Sequence, residues 1–382
     1  MRKREGLQRA TATQRMNTDP VEKNPEPSTE RTGSDPNPAL NTVLTRVFMT
    51  DEGEFRSGWR VFAFVMCLAV VALLVNAFLQ AILGLVAPSL NAIVYPPPSQ
   101  ESQSAAQLSV NAKLLGQGAG SFIDLICAAI ASAACAHFLE HRSFGSIGFA
   151  FQTGFGRDFS LGLIAGAAMI CGVAGLEALP GSVGLSIQAH TATQDLCGFG
   201  ALFVVFGFAA AFEELVFRGF AFQALAHDIG PGLAIAITSV GFGLVHLQNP
   251  SASAISTANT ILAGIWLGLA YLKTRSLWLC TGLHLSWNFV MVFVFGLPVS
   301  GLTDFVNLGI FLGQDKLPLW MSGGTYGPEG GLAAVPILII SSLVLWKTGL
   351  FRPTPYMLEA VKHGKPEARY ISLSLDRPDA KH

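Results

Sequence analysis

The chain has 382 residues, of which 51% are hydrophobic and only 13% charged, with 40 glycines and a formal net charge of −1. So few charges cannot solvate a soluble domain of this size, and no basic cluster is present that would neutralise phosphates, which excludes nucleic acid as a partner. The composition is that of an all-α polytopic membrane protein.

Residues 1–54 are rich in Pro, Asn, Thr, Glu and Arg and poor in large apolar side chains, so they are expected to be a disordered cytoplasmic tail. The basic, polar start has no adjacent apolar stretch, and a cleaved signal peptide is not expected. Residues 55–352 are read as a transmembrane domain of about eight helices. The apolar runs begin and end near Trp59 and Val86, Leu114 and Leu139, Phe159 and Leu179, and Phe199 and Ala226. Four more run from about Pro231 to Leu247, Ile255 to Leu272, Ser276 to Phe295 and Leu332 to Leu350. A polar cytoplasmic tail, 353–382, follows.

Several residues in these runs have unremarkable expected roles. Cys67, Cys127, Cys135, Cys171, Cys197 and Cys280 lie in or beside apolar runs without Cys-x-x-Cys spacing and read as small packing residues. Asp124 and His137 are expected to pack or to sit near an interface, and Glu177, near the end of the third run, to reach the interface. Gly264 and Gly268 form a Gly-x-x-x-Gly face that permits close helix approach. The Pro-rich loop through Tyr95 to Pro98 and the Gly-rich loop from Pro298 to Gly330 are read as irregular.

An even number of spans puts both ends on one side. The N-terminal tail, the Arg142/Arg157 loop, the Lys273/Arg275 turn and the C-terminal tail carry nearly all the extramembrane Lys and Arg. The positive-inside rule makes that side cytoplasmic, in a multi-pass protein of the plasma (inner) membrane.

The fourth run contains Glu213, Glu214 and Arg218. An ionised side chain near the bilayer centre costs about 2.5–3.5 kcal/mol on insertion scales, so these residues need compensation or a function. Glu214 and Arg218 are four apart, with the acid N-terminal, and are expected to form an ion pair that fixes helix geometry. Glu213 points about 100° away and has no intrahelical partner.

Counting about 1.5 Å per residue from the cytoplasmic plane places Glu213 at roughly 20 Å, His246 at 22 Å, His284 at 12 Å and Asn288 at 18 Å. The four fall within one slab of the hydrocarbon core, in spans four, five and seven. A carboxylate, two imidazoles and a carboxamide in apolar surroundings suit water activation and oxyanion stabilisation. A polar knot between helices, a transporter or proton pathway, and a non-catalytic immunity or scaffold protein are the rival readings. No convincing internal repeat or paired broken helices support the transporter.

Glu213-Glu214-Leu-Val-Phe-Arg218, Phe242-Gly-Leu-Val-His246 and His284-Leu-Ser-Trp-Asn288 resemble the three motifs of the CPBP family, also called the Abi or CAAX-protease family, of intramembrane endopeptidases. Those motifs read Glu-Glu-x-x-x-Arg, Phe-x-x-x-His and His-x-x-x-Asn. Arg56-Ser57-Gly58-Trp59-Arg60 and Ser276-Leu277-Trp278 are also similar to family members. The resemblance covers about residues 200–295, more weakly back to 55, with no departure at a motif position. It implies hydrolysis of a peptide bond in a membrane-associated protein or peptide, without naming the substrate. The expected site is then Glu213 and His246 on a water, with His284 and Asn288 on the oxyanion. Zinc held by Glu213, His246 and His284 is the alternative to the metal-free mechanism preferred here, because Asn288 is a poor zinc ligand.

Overall fold

The computed structural model describes residues 46–50, 53–95, 109–179 and 183–358. Residues 1–45 and 51–52 of the expected 1–54 tail, most of the Pro-rich loop and the chain from 359 onward lie outside the described residues. The architecture is helical: α1 (Ser57–Val86), α2 (Pro88–Val94), α3 (Val110–Glu140), α4 (Phe155–Ala178), α5 (Ala192–Arg218) and α6 (Phe220–Ile229). α7 (Pro231–Val245), α8 (Ala254–Thr274), α9 (Leu277–Phe289), α10 (Leu319–Ser322) and α11 (Ala334–Lys347) complete it. Among the described residues seven helical stretches are long and apolar enough to cross a membrane, with α5 and α6 forming one of them. The chain is an integral, multi-pass membrane protein.

Polar caps set several boundaries that hydropathy alone misplaces. The fourth span was expected to begin near Phe199, but α5 starts at Ala192, where Thr191 and Gln194 form a capping box. The reciprocal bonds satisfy backbone donors that an apolar start would leave open. Ser253 with Ser256 caps α8 in the same way, and Ser276 caps α9. The expected eighth span is reduced to α11, 14 residues long, which at 1.5 Å per residue is about 21 Å against a core of about 30 Å.

Helices pack closely where glycine removes the side chain. A Cβ at Gly162 would lie 2.4 Å from the Leu279 carbonyl oxygen, and one at Gly166 would lie 2.2 Å from that of Leu283. From the other side, a Cβ at Gly282 would meet the Phe159 carbonyl at 2.4 Å, so α4 and α9 cross backbone to backbone. Gly264 and Gly268 do face a neighbour as expected: they lie against Ser239 and Ile235 of α7.

Two regions depart from expectation. Glu177, placed at the interface by its position near a helix end, is 1% exposed in the packed interior of the protein. The Gly-rich loop is not irregular throughout: β2 (Phe311–Asp315) pairs antiparallel with β1 (Val183–Ile187), in register from Val183 opposite Asp315 to Ile187 opposite Phe311. At the other end of the bundle Arg60 bonds Glu140 at 3.0 Å and Asp228 at 2.6 Å, tying α1 to α3 and α6. Residues just past 352 also pack there, with Thr354 and Met357 buried and Thr354 accepting a bond from Gln152.

Candidate active site

α5 presents Glu213 and Glu214 side by side because the helix runs unbroken to Arg218 and is interrupted only at Gly219. Arg218 donates from Nη1 to Glu214 Oε1 at 3.1 Å and from Nη2 to the Gly264 carbonyl at 3.2 Å. Its guanidinium lies 4.5 Å from the Phe242 ring centroid. Both partners are buried, the Glu214 side chain at 0% exposure and Arg218 at 1%, so the expected ion pair is present in a dry setting.

The same Glu214 oxygen has a second partner that the sequence did not reveal. His284 Nδ1 lies 2.9 Å from it, on α9. An ionised carboxylate can only accept, so Nδ1 carries the hydrogen and Nε2 points away from Glu214. His246 is oriented by a different device. It stands where α7 tightens into a short 3-10 turn, His246–Gln248, and its Nδ1 lies 2.7 Å from the Phe242 carbonyl one turn back. That bond likewise puts the hydrogen on Nδ1.

Both Nε2 atoms therefore face outward, and both meet Glu213. The separations are 3.7 Å from His246 and 3.8 Å from His284, each to Oε2, which is buried and has no hydrogen-bond partner. Three acceptor atoms converge with no donor between them. Such a spot calls for a water or for a proton on one of the rings, since facing lone pairs repel. The Glu213 side chain retains 25% exposure, so this is not a sealed salt cluster.

Asn288 lies one turn beyond His284 on the same face of α9 and is half-buried. Immediately after it the helix widens into a π turn, Val290–Val294, a distortion that recurs at functional sites. His246, His284 and Asn288 line one cleft together with Phe242, Trp266 and Trp287, with about 470 Å³ of empty space counted out to its mouth. Glu213 is not on the wall of that cleft, although it contacts the two imidazoles. Thus the structure brings together Glu213, His246 and His284 directly, and Asn288 through the shared cleft. Among the described residues, no hydrogen bond or ion pair joins Asp124 or His137 to any of them.

The donor chemistry is that of a possible zinc set, but its arrangement does not fit. Ligands at about 2.0–2.2 Å from a tetrahedral zinc sit about 3.3–3.6 Å apart. The two imidazole-to-carboxylate separations are wider, and among the described residues no group of three His, Cys, Asp or Glu side chains is arranged to hold a metal ion.

By fold and site, this is a multi-span helical membrane protein with two imidazoles within 4 Å of one carboxylate oxygen. Residues 196–290 match the family described as Type II CAAX prenyl endopeptidase Rce1-like, in agreement with the three motifs. The likeness to this membrane peptidase family covers about a quarter of the chain. No curated protein and no solved structure matches the chain.

Proposed function

We propose that the protein is an intramembrane endopeptidase that hydrolyses a peptide bond of a membrane-associated protein or peptide, with Glu213, His246, His284 and Asn288 as its catalytic residues. The observation that carries this reading is the convergence of Glu213 Oε2 with two Nε2 atoms, each imidazole fixed from behind by an acceptor. A water in that spot loses one proton to Glu213 while its other O–H donates to His246 Nε2. The oxygen attacks the scissile carbonyl carbon, and the carbonyl electrons move onto its oxygen. Asn288 and His284 hold that oxyanion.

His284 has a chemical condition attached to this role. With Nδ1–H committed to Glu214, Nε2 donates only in the doubly protonated ring, whose charge the Glu214 carboxylate partners. Collapse of the tetrahedral intermediate breaks the C–N bond, and the proton held by Glu213 passes to the leaving amine. Every proton taken from water is accounted for within the four groups, so no step needs an external base.

α11 completes eight crossings in this reading, and the Lys and Arg distribution puts both termini in the cytoplasm of a cell bounded by the plasma (inner) membrane. Reporters fused after Arg352 and within the loop at Gly323 then read opposite sides. The same side for both would undo the orientation. The deciding experiment for the function compares membrane proteomes of cells making native and Glu213→Ala protein. A cleaved peptide present with the native chain and missing with the variant is expected, with equal amounts of both proteins in the membrane. Identical peptide profiles remove the assignment.

A further inference from the structure

One fixed charge faces the cleft from outside the three motifs. Glu329 belongs to the connection between α9 and α11, beyond the residues that match the peptidase family, and it lines the cleft with His246, His284 and Asn288. Its position is set by the backbone, because Asn259 Nδ2 donates to the Glu329 carbonyl at 2.9 Å and to the Gly331 carbonyl at 2.7 Å. Its two carboxylate oxygens are used unequally. Oε1 accepts from both the N–H and the Oγ–H of Ser300 at 2.6 Å, while Oε2 has a single long bond, 3.4 Å, from Trp287 Nε1.

A carboxylate offers about four acceptor sites, so Oε2 keeps capacity that the protein leaves open. Beside it stand two indoles, Trp266 and Trp287, with ring centroids 6.1 Å apart. Trp266 is 2% exposed, and its Nε1–H is buried without a partner. A negative group beside indole rings is the recognition chemistry for an ammonium or guanidinium.

We propose that Glu329, Trp266 and Trp287 form a specificity subsite that selects a lysine or arginine side chain of the membrane-associated peptide next to the scissile bond. The location of the scissile bond rests on the endopeptidase reading; the charge preference does not. An acidic side chain at the same position is disfavoured, since it meets the Glu329 carboxylate. If Glu329 only fastens the loop to Ser300, no such preference exists.

The test reads binding without turnover. Full-length Glu213→Ala protein in detergent is titrated with a fluorescent leucine–alanine transmembrane peptide carrying one central lysine, and with the same peptide carrying acetyl-lysine. The lysine peptide is expected to bind about tenfold tighter. Glu329→Gln, introduced into the same protein, brings the ratio to about one, and Glu329→Lys reverses preference toward a glutamate peptide. Glutamine still accepts from Ser300; should that variant not accumulate, Glu329→Asp carries the comparison, with a smaller ratio expected. Equal affinity for the two peptides, or a ratio unchanged by substitution at 329, overturns the subsite. Discrimination without cleavage of either peptide by the native protein counts against the endopeptidase reading and leaves the subsite standing.

Discussion

α1 and α9 are both apolar spans, and they occupy opposite places in the bundle. The most apolar window of α1 has a mean hydropathy of 2.7 and is 6% buried, whereas α9 with its π turn has 1.5 and is 83% buried. In water the more apolar helix would be the inner one. In lipid the order inverts, because apolar surface is already compatible with its solvent and polar side chains are what must be enclosed. Thr281, His284, Ser286 and Asn288 lower the hydropathy of α9 and mark it as the helix enclosed by protein.

Substitutions in these two environments should differ accordingly. The largest effect is expected for Glu214→Ala, which leaves buried Arg218 unpaired and removes the acceptor behind His284. Breaking a buried pair costs about 3–5 kcal/mol, so folded protein recovered from membranes should fall sharply, as size-exclusion chromatography would show. Normal recovery would mean that the pair is dispensable for folding.

Asn288→Ala tests the chemistry of the inner helix and spares its packing. Loss of an oxyanion donor predicts a fall in kcat of about 10²–10³ fold with KM nearly unchanged. A rise in KM alone would move Asn288 from the oxyanion to substrate binding. Gly282→Leu in α9 and Leu74→Ala in α1 then make a direct pair. Leucine at 282 has to displace the α4 backbone and should lower the melting temperature by several degrees, while Leu74, 64% exposed, should change stability by no more than about 0.5 kcal/mol. Equal shifts would contradict the inverted arrangement. The smallest expected change is on chelation, where activity should persist after zinc is stripped. Loss on chelation and recovery with stoichiometric zinc would establish a metal enzyme whose ligands draw closer than they stand here.

The parts of this molecule that were legible in the sequence are those fixed by solvent and by spacing within one helix. Apolar length located the spans, and the i, i+4 separation gave the Glu214–Arg218 pair. Depth counting brought Glu213, His246 and His284 together because it needs only rise per residue and topology. It could not give the Glu214–His284 bond, which depends on how α5 and α9 are rotated about their axes. Glu177 failed for a related reason: distance along a helix says nothing about which neighbour covers that face. β1 and β2 are five residues each and pair across more than a hundred residues, too short and too distant for a local pattern. Glu329 was hidden in a loop judged only by its glycines.

The strand pair adds a mechanical constraint to the glycine crossing. α4 leads into β1, and α9 leads through the π turn toward β2, so the two helices are fastened both at mid-length and beyond their ends. Two contact points on one pair of rods oppose both scissoring and splaying. His284 and Asn288 therefore sit on the doubly fastened side of the cleft, whose other walls come from α7, α8 and the Glu329 loop.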